Sequence, residues 1–141
     1  MQSNTQRTTS TDDAGKLVLR AALALAILFH GVAKLTGGIG FIGGMLAKAG
    51  LPEFFAYLVY VGEVVAPLMI LAGILTRPAA LVVAINMIVA VLLVHAGEVF
   101  TVNATGGWAL ELQGMFLFAS ISVALLGAGR YSLGGAQGRF S

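Results

Sequence analysis

The chain has 141 residues, 58% of them hydrophobic and 10% charged, and its mean hydropathy is +0.94. A soluble domain needs roughly a quarter of its residues charged to cover its surface, so an ordinary water-soluble globule is excluded and lipid is the expected solvent. The absence of cysteine excludes disulfides, thiolate redox pairs and cysteine-ligated metal centres, and a formal net charge of +2 scattered along the chain reads as membrane topology, with no nucleic-acid partner.

Residues 1–15 are mostly polar, without apolar periodicity, a composition that cannot offset the entropy of ordering. A disordered cytoplasmic tail is expected there. The apolar run that begins at Leu17 is too long for the core of a cleaved signal peptide, so it is expected to stay as span one, Leu17 to Leu35, ending at Thr36-Gly37-Gly38. Residues 39–50 (IGFIGGMLAKAG) are too short to cross a bilayer and too apolar for a free loop. They predict a short interfacial or re-entrant helix. Span two runs from Leu51-Pro52-Glu53 to about Leu75, with Pro67 inside it. A proline there predicts a kink and a freed carbonyl near Glu63, because it has no N–H to donate one turn back.

Span three follows Thr76-Arg77-Pro78 and extends to about Ala96. Residues 97–107 form the next loop, Trp108 is placed as an interface anchor, and span four covers Ala109 to Leu126. The predicted fold is therefore an all-α membrane protein: a bundle of four transmembrane helices with a short helix between spans one and two. The division is 1–15 tail, 16–128 bundle and 129–141 flexible cytoplasmic tail. Orientation follows from lysine and arginine, which resist translocation in short loops. Arg7, Lys16, Arg20, Arg77, Arg130 and Arg139 fall on the side of the termini, and Lys34 and Lys48 on the other. Both termini are expected to be cytoplasmic, in a bacterial or archaeal cytoplasmic membrane.

Polar residues inside apolar runs need a reason, since burying an ionisable group in a bilayer costs a few kcal/mol even on mild insertion scales. Span one carries His30 and Lys34, four apart and so on one helix face. Span two carries Glu63, span three Asn86 and His95, and span four Glu111 and Gln113. At about 1.5 Å per residue, His30, Lys34, His95 and Glu111 fall in the non-cytoplasmic half, with Glu63 and Asn86 nearer the midplane. Snorkelling offers a plain account of Lys34 and Glu111, a helix end accounts for His95, and an interhelical hydrogen bond for Asn86. Glu63 is too deep to snorkel and predicts a partner on another span. Sharing one cavity satisfies these groups with fewer unpaired atoms than separate solutions, so His30, Lys34, His95 and Glu111 are expected to converge. The two histidines lack metal-ligand spacing, and no metal site is expected.

In these residues the chain resembles the DoxX family of small four-helix membrane proteins. The resemblance rests on Gly31-Val32-Ala33-Lys34-Leu35, Phe41, Gly50-Leu51-Pro52, Glu63, the run from Leu71 to Ala80 (LAGILTRPAA), His95, Gly106-Gly107 with Glu111 after it, and the run from Gly127 to Leu133 (GAGRYSL). Gly134 stands where the family's aspartate is usual, and three residues separate Gly107 from Glu111 where the family's glycines and glutamate are adjacent. The resemblance implies a membrane subunit linked to quinone redox chemistry, with a bound quinone as cofactor and a larger membrane complex or redox partner supplying electrons. In that reading His30, Lys34, Glu63, His95 and Glu111 line the binding site, supported by Asn86 and Gln113. The alternative is a non-catalytic accessory or assembly subunit packed through its small residues against a larger complex. A carrier is a third reading, without the internal repeat that carriers commonly show.

Overall fold

The computed structural model describes the backbone of residues 2–135, 138, 140 and 141, and the side chains of residues 10–135, 138, 140 and 141. Helix α1 spans Gln2–Gly37. It stops where Gly38, at φ +85°, donates its N–H to the Lys34 carbonyl at 2.8 Å, a conformation open to glycine at little cost. The polar stretch expected to be a disordered tail continues this helix at its N-terminal end. Helix α2, Gly40–Lys48, follows, and Gly50 at φ +76° turns the chain into the next helix.

Helix α3, Glu53–Ala72, is irregular for reasons written in its sequence. It opens after Pro52 as a 3-10 turn, Glu53–Tyr57, and contains a π segment, Val61–Val65, in which the Ala66 N–H reaches back five residues to the Val61 carbonyl. Pro67 lies just beyond. Because it has no N–H for the Glu63 carbonyl, the ladder is interrupted at that point, and the widened turn is the form the expected distortion takes. Gly73 closes the helix in the left-handed conformation, its N–H and that of Ile74 capping the Met69 and Ile70 carbonyls.

Helix α4 is Thr76–Val94 and α5 is Glu111–Leu126. Three stretches are long and apolar enough to cross a membrane, Ser10–Gly37, Glu53–Ala72 and Thr76–Val94, with Glu111–Leu126 a shorter apolar helix. At about 1.5 Å per residue that last helix is roughly 24 Å long, somewhat under a hydrocarbon core of about 30 Å. Consecutive long helices run in opposite directions. Helix α3 packs on α1 and α4, and α5 on α4 and α1, so the four close into a ring.

The ring has two unlike halves. Toward the end where α5 finishes, Leu23, Ala24, Ile27, Ala66, Ile70, Ala79, Ala80, Val83 and Val123 form a continuous buried core, with alanines letting the backbones approach. Outward faces are apolar: Phe29 is 79% exposed and Leu92 68%, as expected for helices solvated by lipid. The same end buries Arg20, whose guanidinium donates to the Ile70 carbonyl at 3.2 Å and to the Tyr131 carbonyl. Residues 129–135, expected to be flexible, run against this arginine. Leu133 and Gly134 donate their N–H groups to the carbonyls of Ala72 and Gly73, both at 3.0 Å, and Arg130 N–H donates to Asp13 at 3.1 Å. Of the remaining expected tail, residues 136, 137 and 139, and with them the charge of Arg139, lie outside the described residues, as does the side chain of Arg7.

Where the opposite half begins, two glycines set the helix spacing. A Cβ at Gly31 would strike the carbonyl of Glu63 and come within 2.8 Å of Val64 Cγ2, and one at Gly62 would lie 2.6 Å from Asn86 Cγ. By contrast, Gly44 on α2 has nothing within 4 Å. Gly31→Ala is therefore expected to push α1 off α3 and destabilise the protein by about 1–3 kcal/mol, whereas Gly44→Ala should be neutral. Thermal unfolding of the two purified variants in detergent checks this, and equal melting temperatures would contradict the close approach.

Candidate functional site

The wider turn around Glu63 points its carboxylate inward, where the residue is 4% exposed. Two other helices supply its partners. Lys34 of α1 donates Nζ–H to Glu63 Oε2 as an ion pair, and Asn86 of α4 donates Nδ2–H to Oε1 at 3.3 Å. Tyr60, one turn before Glu63, donates its hydroxyl to the Lys34 backbone carbonyl at 3.2 Å, tying the same two helices a second time. The pair is asymmetric. The Glu63 side chain is 6% exposed and that of Lys34 27%, so the carboxylate is the buried partner and the ammonium faces the space beside it.

That space is a cavity of about 630 Å³ in the half of the bundle away from the packed core. Its walls are mostly apolar. Phe41, Ile42 and Leu46 of α2 lie across one side, Phe55 and Val59 of α3 and Val89 and Leu93 of α4 form others, and Phe116 closes from α5. Helix α2 thus covers a hollow that the four long helices leave between them.

Of the four residues expected to converge, His30, Lys34 and His95 line this cavity, together with Glu63, Asn86 and Gln113. His30 stacks edge-on against Phe116 at 5.8 Å between ring centres and has no hydrogen-bond partner among the described residues. His95 sits between Glu98, at 3.0 Å from Nδ1, and Gln113, at 3.4 Å from Nε2. Glu111 is not part of the lining. It starts α5, is exposed, and its carboxylate lies against Gly107 of the preceding loop, where the N-terminal end of the helix dipole favours a negative charge. Trp108 fastens the same loop, donating to the Val99 carbonyl at 2.7 Å and packing on Gly114.

Tyr60 and Glu98 were not singled out from the sequence. Their signals were their spacing: Tyr60 is three residues before Glu63, on the same helical face, and Glu98 is three after His95. Among the described residues no group of three or more His, Asp or Glu side chains is placed to hold a metal ion.

The sequence profile of the DoxX family matches residues 15–96, more than half of the chain. The chain belongs to the DoxX family. The matched stretch contains His30, Lys34, Glu63, Asn86 and His95, while Glu98, Glu111 and Gln113 lie beyond it. The DoxX protein described here is also similar to CatD of Bacillus subtilis (strain 168), which carries the name of an oxidoreductase, with 29% identity over 116 residues, 82% of this chain and 81% of CatD. No solved structure matches the chain.

Removing one member of a buried ion pair leaves the other charge uncompensated, at a cost of roughly 3–5 kcal/mol when both are buried. Because Lys34 is 27% exposed at its side chain, Lys34→Met is expected to cost less, about 2–3 kcal/mol. The double variant Lys34→Met/Glu63→Gln should recover most of that loss. Denaturant unfolding of the single and double variants measures the coupling, and strictly additive losses would show that the two groups do not stabilise each other.

Proposed function

We propose that this DoxX-family membrane protein crosses the membrane four times with both termini cytoplasmic, and that its cavity holds the ring of a quinone for a redox complex. The observation that carries the reading is an ion pair set into an apolar hollow: Lys34, Glu63 and Asn86 supply hydrogen bonds and charge at one wall of a cavity otherwise lined by aliphatic and aromatic side chains. Sites for small molecules have this form, at about 300–1,000 Å³ with a few placed polar groups. A planar ring with polar oxygens fits. Phe116 and the unpartnered imidazole of His30 offer one edge, and the Lys34 ammonium favours an oxygen acceptor.

When bound, a quinone would supply the two-electron redox chemistry. The residues here would bind and orient it, exclude water and hold protons: Glu63 can take up a proton, giving up the negative charge that Lys34 balances. The chain has no cysteine, and electrons are assigned to a separate redox protein in the same membrane. The oxidoreductase name of the similar CatD supports the redox class. In this arrangement α2 is an interfacial helix roofing the cavity on the non-cytoplasmic side. The accessory-subunit reading draws on a different feature, the loop after α4, where Phe100 is 98% exposed and Val102 70%, an apolar tip that suits a docking contact.

Topology is tested with reporters: a C-terminal fusion should behave as cytoplasmic and an insertion at residues 103–105 as external, the reverse pattern ending the orientation argument. Binding is tested with a short-chain benzoquinone and the purified protein. Ala90→Trp, which puts a bulky ring on the α4 wall of the cavity, and Glu63→Gln should each weaken binding about tenfold or more, the latter because it removes the ion pair that positions the Lys34 ammonium. Unchanged affinity in a folded Ala90→Trp protein would place the ligand elsewhere, and recovery of the wild-type protein only within a larger complex, without bound quinone, would favour the accessory role.

A further inference from the structure

His95 forms a second polar position in the cavity, separate from the Lys34–Glu63–Asn86 cluster. It caps the end of α4 and lines the cavity beside Gln113, whereas Glu98 is outside the lining and 52% exposed at its side chain. The imidazole therefore lies between the exposed Glu98 carboxylate at Nδ1 and Gln113, a residue of the cavity wall, at Nε2. Its two neighbours select one tautomer. An ionised carboxylate only accepts hydrogen bonds, so at 3.0 Å from Glu98 Oε2 the Nδ1 atom carries hydrogen. The Gln113 amide nitrogen only donates, so at 3.4 Å Nε2 presents its lone pair. A 3.4 Å contact is long for such a bond, and the lone pair is open to a better donor from the cavity.

We propose that His95 is the hydroxyl-binding and proton-accepting group of the cavity, with Glu98 as its positioning residue and its proton exit. The assignment rests on the quinone reading above and refines it. Nε2 favours an apolar ring molecule bearing a dissociable hydroxyl, as a hydroquinone does and its oxidised form does not. The proton step is an acid–base step. Nε2 gains the hydroxyl proton as the ligand O–H bond breaks, Nδ1 gives its own proton to the Glu98 carboxylate, and the resulting carboxylic acid releases it to water. The imidazole is left neutral, and one proton has moved from cavity to solvent. Electrons leave separately to an external one-electron oxidant. The other titratable groups facing this space are His30 and Lys34 of α1 and Glu63 of α3, with Glu111 of α5 turned to the loop.

The test uses the full-length protein in detergent, with trimethylhydroquinone and trimethylbenzoquinone as probes. Wild-type protein should bind the hydroquinone about five- to tenfold more tightly than the quinone, as one hydrogen bond of about 1 kcal/mol provides. His95→Phe should bring that ratio to near one. Glu98→Gln should keep the ratio, because the amide oxygen still accepts from Nδ1, yet it cannot take a proton. When bound hydroquinone is oxidised by ferricyanide, release of one of its two protons, followed with a pH-indicator dye, should then slow about tenfold or more. Glu98→Ala should lose both properties, and the exposure of Glu98 leaves the fold intact in each variant. An undiminished hydroquinone preference in His95→Phe, or wild-type release kinetics in Glu98→Gln, overturns the assignment. Wild-type protein that binds neither probe overturns the quinone reading itself, which separates the two failures.

Discussion

A carboxylate buried among apolar helices is the constraint on which much of this structure depends. Glu63 must be neutralised and hydrogen-bonded by other helices or remain at large cost, and the local backbone is built around that need. The π segment Val61–Val65 rotates the residues that follow it relative to an unbroken helix. Gly31 brings α1 against the Glu63 backbone and Gly62 brings α4 close enough for Asn86. With larger residues at those two positions, Lys34 and Asn86 would stand off from the carboxylate they satisfy. Pro67 completes the arrangement: the carbonyl it leaves without a helical donor is the one pressed against Gly31, where a Cα–H is the neighbouring group.

The same requirement divides the bundle. Close packing of alanines and β-branched residues around Ala24, Ala80 and Val83 fixes the helices at one end, while larger residues and the polar cluster hold them apart at the other. The packed end has its own buried charge, but Arg20 meets backbone carbonyls at the end of α3 and in the segment after α5 and no carboxylate among the described residues. Such a cation fastens chain segments together; it does not face a ligand. Gly134 belongs to that fastening. A Cβ there would approach the Gly73 carbonyl to 2.8 Å, so the residue found in place of the family's usual aspartate suits the close run of the tail along Gly73.

Much of this was legible in the sequence, because the physics of lipid is simple and long-ranged in the chain. Apolar runs of the right length gave the helices, glycines their ends, and the depth of Glu63 its need for a partner on another span. The ends of α3 and α4 fall a few residues short of the apolar runs, since Gly73 and His95 stop the helices before the hydrophobicity ends. Glu111 was misjudged for a related reason: proximity along the axis does not settle azimuth, and at the first turn of a helix a carboxylate has a competing place near the free N–H groups. Arg20 looked like a topology signal, because a charge count cannot distinguish an arginine at the interface from one folded under the chain's own tail. The tail was hidden too, since its docking depends on backbone hydrogen bonds that composition does not encode.

The two polar positions of the cavity differ in kind, and the proposed chemistry rests on that difference. At the Glu63 side a cation and an amide present donors, with negative charge already committed to them. At the His95 side a carboxylate outside the wall fixes the ring so that an acceptor faces in. A molecule with the same group at both ends of a ring would meet a donor at one end and an acceptor at the other, so neither its fully oxidised nor its fully reduced form would satisfy both equally. In the proposed reading, such a site favours the reduced form at the His95 end and distinguishes the two redox forms by which end is anchored. Under the quinone proposal a preference of only about five- to tenfold leaves both forms able to exchange with the membrane, since binding one form very tightly would trap it.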